Sequence, residues 1–209
     1  MINSKKSRRI GIYAGTFNPV HAGHITFALQ ALKSAKLDSL LFLPERQPRH
    51  KTGAEHFAHR VAMLQRAVRP HPKFGVLELP DVNFSVQRTL PRIQQLYPND
   101  QLVFLFGSDI ISTLGDWPYA SQLLKTSEIV VGLRNGAQTK KSVERIVKSW
   151  RQQPKKIVTI RSFAPDISSG TVREALSKRR PVRGLLASVA RYSNQHWLYV
   201  SLAQVAPKT

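Results

Sequence analysis

Cysteine is absent from the 209 residues. That excludes disulfides, thiolate nucleophiles and thiolate zinc sites, and leaves the redox compartment unspecified. Acidic residues are scarce: 12 Asp and Glu stand against 32 Lys and Arg, a formal net charge of +20. No apolar run approaches the ~20 residues of a membrane span. The basic opening "MINSKKSRRIGIYAG" holds too short an apolar run for a secretory signal. A cytoplasmic protein without membrane contact is therefore expected. Internal repeats, low-complexity tracts and linkers are missing too, so residues 1–209 are expected to form a single domain.

What is present is positive charge and apolar periodicity. The charge attracts polyanions and speeds their encounter. Nucleic acid is the first partner to consider, nucleoside triphosphates the second, and nonspecific polyanion binding or a merely solvated basic surface the plainest. The Lys and Arg residues are scattered, and no zinc-finger, homeodomain or RNP signature accompanies them. Charge alone therefore does not specify a nucleic-acid module.

Apolar runs alternate with amphipathic segments. "RRIGIYAG", "DSLLFLP", "FGVLELP", "QLVFLFGSD", "EIVVGLR" and "KIVTIR" read as strands. "GHITFALQALKSA" reads as a helix with an apolar face at Ile25, Leu29 and Leu32. "HFAHRVAMLQRAV" reads as another, with Phe57, Val61, Leu64 and Val68 aligned. "SVQRTLPRIQQLYP" is a third, with Pro91 expected at a bend or in a first turn. "KKSVERIVKSWRQQ", "SSGTVREALSKRR" and "GLLASVARYSNQHWLY" complete the helices. This alternation is that of an α/β, doubly wound parallel sheet, whose strands are apolar on both faces. Such sheets bind ligands beyond the carboxyl ends of their strands, so residues just after strands are the candidates.

Four segments stand there. The first is "GTFNPVHAGH", with Gly15, Thr16 and Phe17 after a strand and His21 and His24 one helical turn apart. A metal reading lacks a nearby carboxylate. Gly15 and Gly23 suit a tight turn and a close ligand approach, and a helix start would add amide donors. The pattern is a phosphate cradle with two imidazoles, open to any phosphate ligand. The second is "DISSGTVRE", where Ser168 and Ser169 could cap a helix or hold phosphate, with Arg173 one turn on. The third is "FGSDIISTLGDW": Gly107 and Asp109 follow the most apolar strand, Asp109 could bind a ribose, and Trp117 could stack on a base. The fourth is the basic loop "LPERQPRHK", with His50 and Lys51.

Taken in order, these segments resemble the bacterial nicotinate mononucleotide adenylyltransferases, within the H-x-G-H nucleotidyltransferases. The motif G-x-F-x-P-x-H-x-G-H matches at residues 15–24, and I-S-S-x-x-x-R matches at residues 167–173, from Ile167 to Arg173. "HRVAML" and "VVGLRNG" resemble internal landmarks, and residues about 184–200 resemble the C-terminal helices. The resemblance implies a Rossmann-like sheet with a small C-terminal helical extension. It implies adenylyl transfer from ATP to nicotinate mononucleotide, with Mg²⁺ arriving with ATP and no dedicated metal site. It implies His21, His24 and Arg173 as catalytic. ATP would be bound by Gly15, Thr16, Phe17, Gly23, Gly107, Asp109, Ile167, Ser168 and Ser169. The acceptor would meet Lys51, Ser85, Val86, Trp117 and Arg134. Two departures stand out. "FSVQRTL" replaces the usual S-Y-T-x-x-T-L, and Gly170 replaces the Thr of I-S-S-T. They keep nicotinamide mononucleotide, another phosphate acceptor and a non-catalytic nucleotide sensor open as alternatives, and the positive charge keeps open a basic nucleic-acid-binding protein that reuses the fold.

Overall fold

The computed structural model describes residues 7–49, 53–133, 139–161, 167–178, 180–181 and 183–200. Its six strands are β1 (Arg9–Gly15), β2 (Ser39–Pro44), β3 (Phe74–Val76), β4 (Gln101–Gly107), β5 (Glu128–Leu133) and β6 (Ile157–Arg161). All pair in parallel, in the order β3-β2-β1-β4-β5-β6. This is the doubly wound, Rossmann-like sheet expected from the alternation. The chain winds outward one way from β1 to β3 and the other way from β4 to β6. A crevice therefore opens between the carboxyl ends of β1 and β4.

The helices are α1 (Ala22–Ser34), α2 (Phe57–Val68), α3 (Val86–Leu96), α4 (Ser108–Leu114), α5 (Ala120–Thr126), α6 (Lys140–Lys148), α7 (Ser169–Ser177) and α8 (Ala187–Gln195). Alternating strand residues separate two cores, as the pleat requires. Val103, Leu105 and Val130 point to α1, α2 and α8. Ile10, Ile12, Phe104, Ile129 and Val131 point to α3, α4, α5 and α6. Among the described residues no helix is long and apolar enough to cross a membrane.

Three local expectations need correction. The buried face of α1 is Ile25, Phe27, Ala28 and Ala31, whereas Leu29 is 43% exposed. Alanines let the helix lie close to the sheet, so the larger leucine falls outside the contact. Pro91 sits inside α3, beyond its first turn. In addition, α4 and α5 were not expected as helices. Each has seven residues, too few for an apolar period to show.

At the opposite, amino end of the sheet, Arg9 grips Glu128 through two bonds of 2.9 and 2.8 Å. The Arg9 guanidinium holds the Glu128 carboxyl below its usual range, against a smaller opposing effect of burial.

Candidate functional site

A cleft of about 550 Å³ opens over the carboxyl ends of β1, β4 and β5. Its size is that of a site for a small ligand. Gly15 and Gly107 end their strands, and Gly132 lies opposite Gly107 in the register. A Cβ on Gly15 would meet the Phe17 ring at 3.1 Å. At Gly132 the room is already taken, since a Cβ would come within 2.8 Å of the Phe27 ring.

The segment after β1 forms one wall. Phe17 has a left-handed backbone, φ 49°, unusual for a bulky residue. Its ring is only 2% exposed and packs edge-on against Tyr13, His24 and Phe42. That burial compensates for the unfavourable dihedral. The Asn18–Pro19 peptide is cis. His21 then caps α1, and its backbone N–H donates to the Nδ1 of His24 at 3.2 Å. A backbone N–H can only donate, so the His24 Nδ1 is unprotonated and Nε2 carries the ring proton. The two imidazoles lie 3.8 Å apart, tilted by 34°. The start of α1 adds the positive end of a helix dipole to the same wall.

The second motif docks onto this turn from the far end of the chain. Ser168 caps α7, accepting from the Thr171 amide at 3.1 Å. Ser169 donates its hydroxyl to the Pro19 carbonyl at 3.0 Å. Arg173 donates to the Asn18 carbonyl at 2.8 Å. Both serine hydroxyls are thus engaged within the protein. The first-turn amides of α7, at Ser169 and Gly170, have no partner within the helix and are the natural anion donors. A Cβ on Gly170 would meet only the Ser168 hydroxyl, at an ordinary 3.5 Å. The missing threonine therefore reflects no lack of room.

From beneath, Arg60 holds the turn. It is 1% exposed and donates to the carbonyls of Thr16, Glu55 and Arg46 at 2.7, 2.9 and 2.8 Å. Burial lowers its pKa, and the three carbonyl dipoles stand in for a carboxylate partner. The cleft is also lined by aromatic rings. Trp117 lies 6.3 Å from Phe84 and 5.9 Å from Phe106, edge-on to the latter. Exposed Asp109, in the first turn of α4, and half-buried Glu45, just past β2, supply the negative charge.

Residues 12–175 match the family model described as Cytidylyltransferase-like. A relative from Syntrophotalea carbinolica, described as a probable nicotinate-nucleotide adenylyltransferase, is 32% identical over 92% of this chain and 98% of its own. The nicotinate-nucleotide adenylyltransferase of Bacillus subtilis is 31% identical over 93% of this chain and 100% of its own. The chain belongs to the nicotinate-nucleotide adenylyltransferase family. The fold agrees. The nicotinic acid mononucleotide adenylyltransferase of Plasmodium falciparum, solved in complex with NaAD, superposes with a TM-score of 0.76 at 20% identity. The match covers 92% of this chain and 97% of that one. The same enzyme in complex with APC gives a TM-score of 0.74 at 19% identity, with the same coverage of both chains.

The family's two end motifs meet in space. Gly15, Thr16, Phe17, His21, Gly23 and His24 all line the cleft. So do Ile167, Ser168, Ser169 and Arg173 from the second motif, and Gly107, Asp109 and Trp117 from the third segment. Ser85 and Val86 do not. Ser85 caps α3, where its N–H donates to the Thr89 hydroxyl at 3.0 Å. Val86 is 3% exposed and belongs to the core. Their neighbour Phe84 reaches the cleft instead. Lys51 and Arg134 lie outside the described residues. Sequence reading passed over Tyr13, Asn18, Glu45 and Phe84. Asn18 and Glu45 had a usable signal, since each sits in a loop just beyond a strand end.

Proposed function

We propose that this chain transfers the adenylyl group of ATP to the phosphate of nicotinate mononucleotide, forming deamido-NAD and pyrophosphate. The observation that carries this reading is the meeting of both anion-binding motifs on one wall of a cleft that Trp117, Phe84 and Phe106 also line. A triphosphate fits the motifs and a pyridine ring the aromatic lining.

An oxygen of the acceptor phosphate attacks the α-phosphorus of ATP. The new P–O bond forms as the bond to the bridging oxygen breaks, and its electron pair leaves with pyrophosphate. The nucleophile is already an anion, so no general base is required. The work is positioning and charge stabilisation. His24 donates its Nε2–H to the α-phosphoryl oxygen as charge grows there. His21 and the start of α1 hold the neighbouring phosphates. The first turn of α7 and Arg173 take the β- and γ-phosphates. Trp117 flanks the pyridine ring, with Phe84 and Phe106 packed against Trp117.

Mg²⁺ commonly binds through one or two carboxylates together with substrate phosphates and water. The single exposed Asp109 on the cleft wall fits that pattern. There the ion would neutralise phosphate charge.

The test is pyrophosphate release with ATP or CTP against a panel of acceptors. The panel holds nicotinate mononucleotide, nicotinamide mononucleotide, pantetheine phosphate and glycerol phosphate. The highest kcat/KM is expected for ATP with nicotinate mononucleotide. Preference for any other pair would overturn the reading.

A further inference from the structure

Asn18 is a junction. It is 5% exposed and sits in the turn between Phe17 and the first histidine. Its carbonyl receives Arg173, while its side-chain Oδ1 receives two further donors. One is the Glu55 backbone N–H, at 3.2 Å. The other is the Tyr199 hydroxyl, at 2.8 Å and 181 residues away. The Glu55 amide can only donate, which fixes the orientation of the Asn18 amide group and makes the Tyr199 hydroxyl a donor.

Tyr199 is held firmly. Its own N–H donates to the Glu55 carboxylate at 3.3 Å. Leu198 before it is buried in the core shared by α1, α2 and α8. Trp197 and Tyr199 both adopt left-handed backbones, φ 53° and 65°, folding the segment back after α8. Burial is the main force raising the Tyr199 phenol far above its ordinary pKa, so it keeps its proton.

We propose that Tyr199 is a positioning residue for ATP, acting through Asn18 on the phosphate-binding turn and on Arg173. The proposal rests on the adenylyltransferase reading above. Without the hydroxyl, Asn18 keeps one side-chain partner. The left-handed Phe17 turn, and the carbonyl that aims Arg173, lose a restraint. Among the described residues, Trp117, Phe84 and Phe106 share no hydrogen bond or ring contact with Asn18, Arg173 or Tyr199.

The control is built into the same extension. The Tyr192 hydroxyl on α8 bonds His59 at 3.0 Å and makes no contact with Asn18. Y199F and Y192F each remove one hydroxyl from the full-length chain. Mg·ATP and nicotinate mononucleotide are titrated separately by calorimetry, with thermal midpoints measured in parallel. Y199F should weaken Mg·ATP by about threefold to tenfold, the range of one lost hydrogen bond. Its affinity for nicotinate mononucleotide should stay within about twofold, since the link runs only to the phosphate wall. Y192F should leave both affinities unchanged while its midpoint falls comparably. Equal Mg·ATP binding by Y199F and the parent overturns the proposal. So does an equal loss in Y192F, or a Y199F chain that does not fold, since either makes the hydroxyl purely structural. A parent chain that binds Mg·ATP but not nicotinate mononucleotide sinks the acceptor assignment alone, and the ATP comparison still decides the role of Tyr199.

Discussion

His24 shows how much one backbone contact can define. The His21 amide assigns the tautomer of its ring, and the tautomer makes the side chain a neutral donor, with no need for the imidazolium. His24→Ala should lower kcat on the order of 10²–10³-fold, the usual effect of removing one transition-state donor. The chain should still fold, with its thermal midpoint lowered modestly by loss of the acceptor for the His21 N–H. Pyrophosphate release near the parent rate would remove His24 from the mechanism. The histidines, Arg173 and the flanking glycines were legible in the sequence through the two motifs of the resemblance, and all of them line the cleft. Tyr199 was not. Its contact spans 181 residues, and no periodicity encodes a partner that far away. Ser85 and Val86 mark a different limit. The segment reaches the cleft through Phe84, but which neighbour faces it depends on backbone dihedrals that residue types do not reveal.

Among the elements, the strands and long helices were readable from hydrophobic runs and periods. The two seven-residue helices after β4 were not, since they have too few turns to repeat a pattern. The connection from α7 to α8 has a position that only geometry exposes. Gly184 has φ 80°, its carbonyl accepts the Ala22 amide at 2.8 Å, and a Cβ there would lie 2.2 Å from the Ile167 Cδ1. A left-handed alanine alone costs about 1–2 kcal/mol. Relief of the clash must also move Ile167, the first residue of the second motif, or the cap of α1. Gly184→Ala should therefore destabilise the chain by about 1–3 kcal/mol in urea unfolding, including strain from overpacking. It should also raise the KM for ATP. A variant with parent-like stability would show that this loop yields freely.

For the molecule as a whole, +20 is the net charge that folding must hold together. Lowering the pH adds to it and also attacks the few carboxylates that offset it. Glu128 is one of these. Its folded pKa is depressed, chiefly by the hydrogen bonds from Arg9. Its contribution is therefore complete above the ordinary glutamate range, about 4.3. It is lost as the pH falls from there through the lower folded value. Glu128→Gln should be less stable at pH 7, and its stability should fall less steeply below about pH 4.5 than that of the parent. Parallel acid limbs in thermal unfolding would contradict this. One further consequence lies in the docking of residues 169–199 onto the turn at 16–19. Contacts so distant in sequence close late in folding. During translation the early strands can assemble while the catalytic turn still lacks its restraints. A fragment ending before α7 keeps the strands but lacks these restraints, and should bind Mg·ATP more weakly than the full chain.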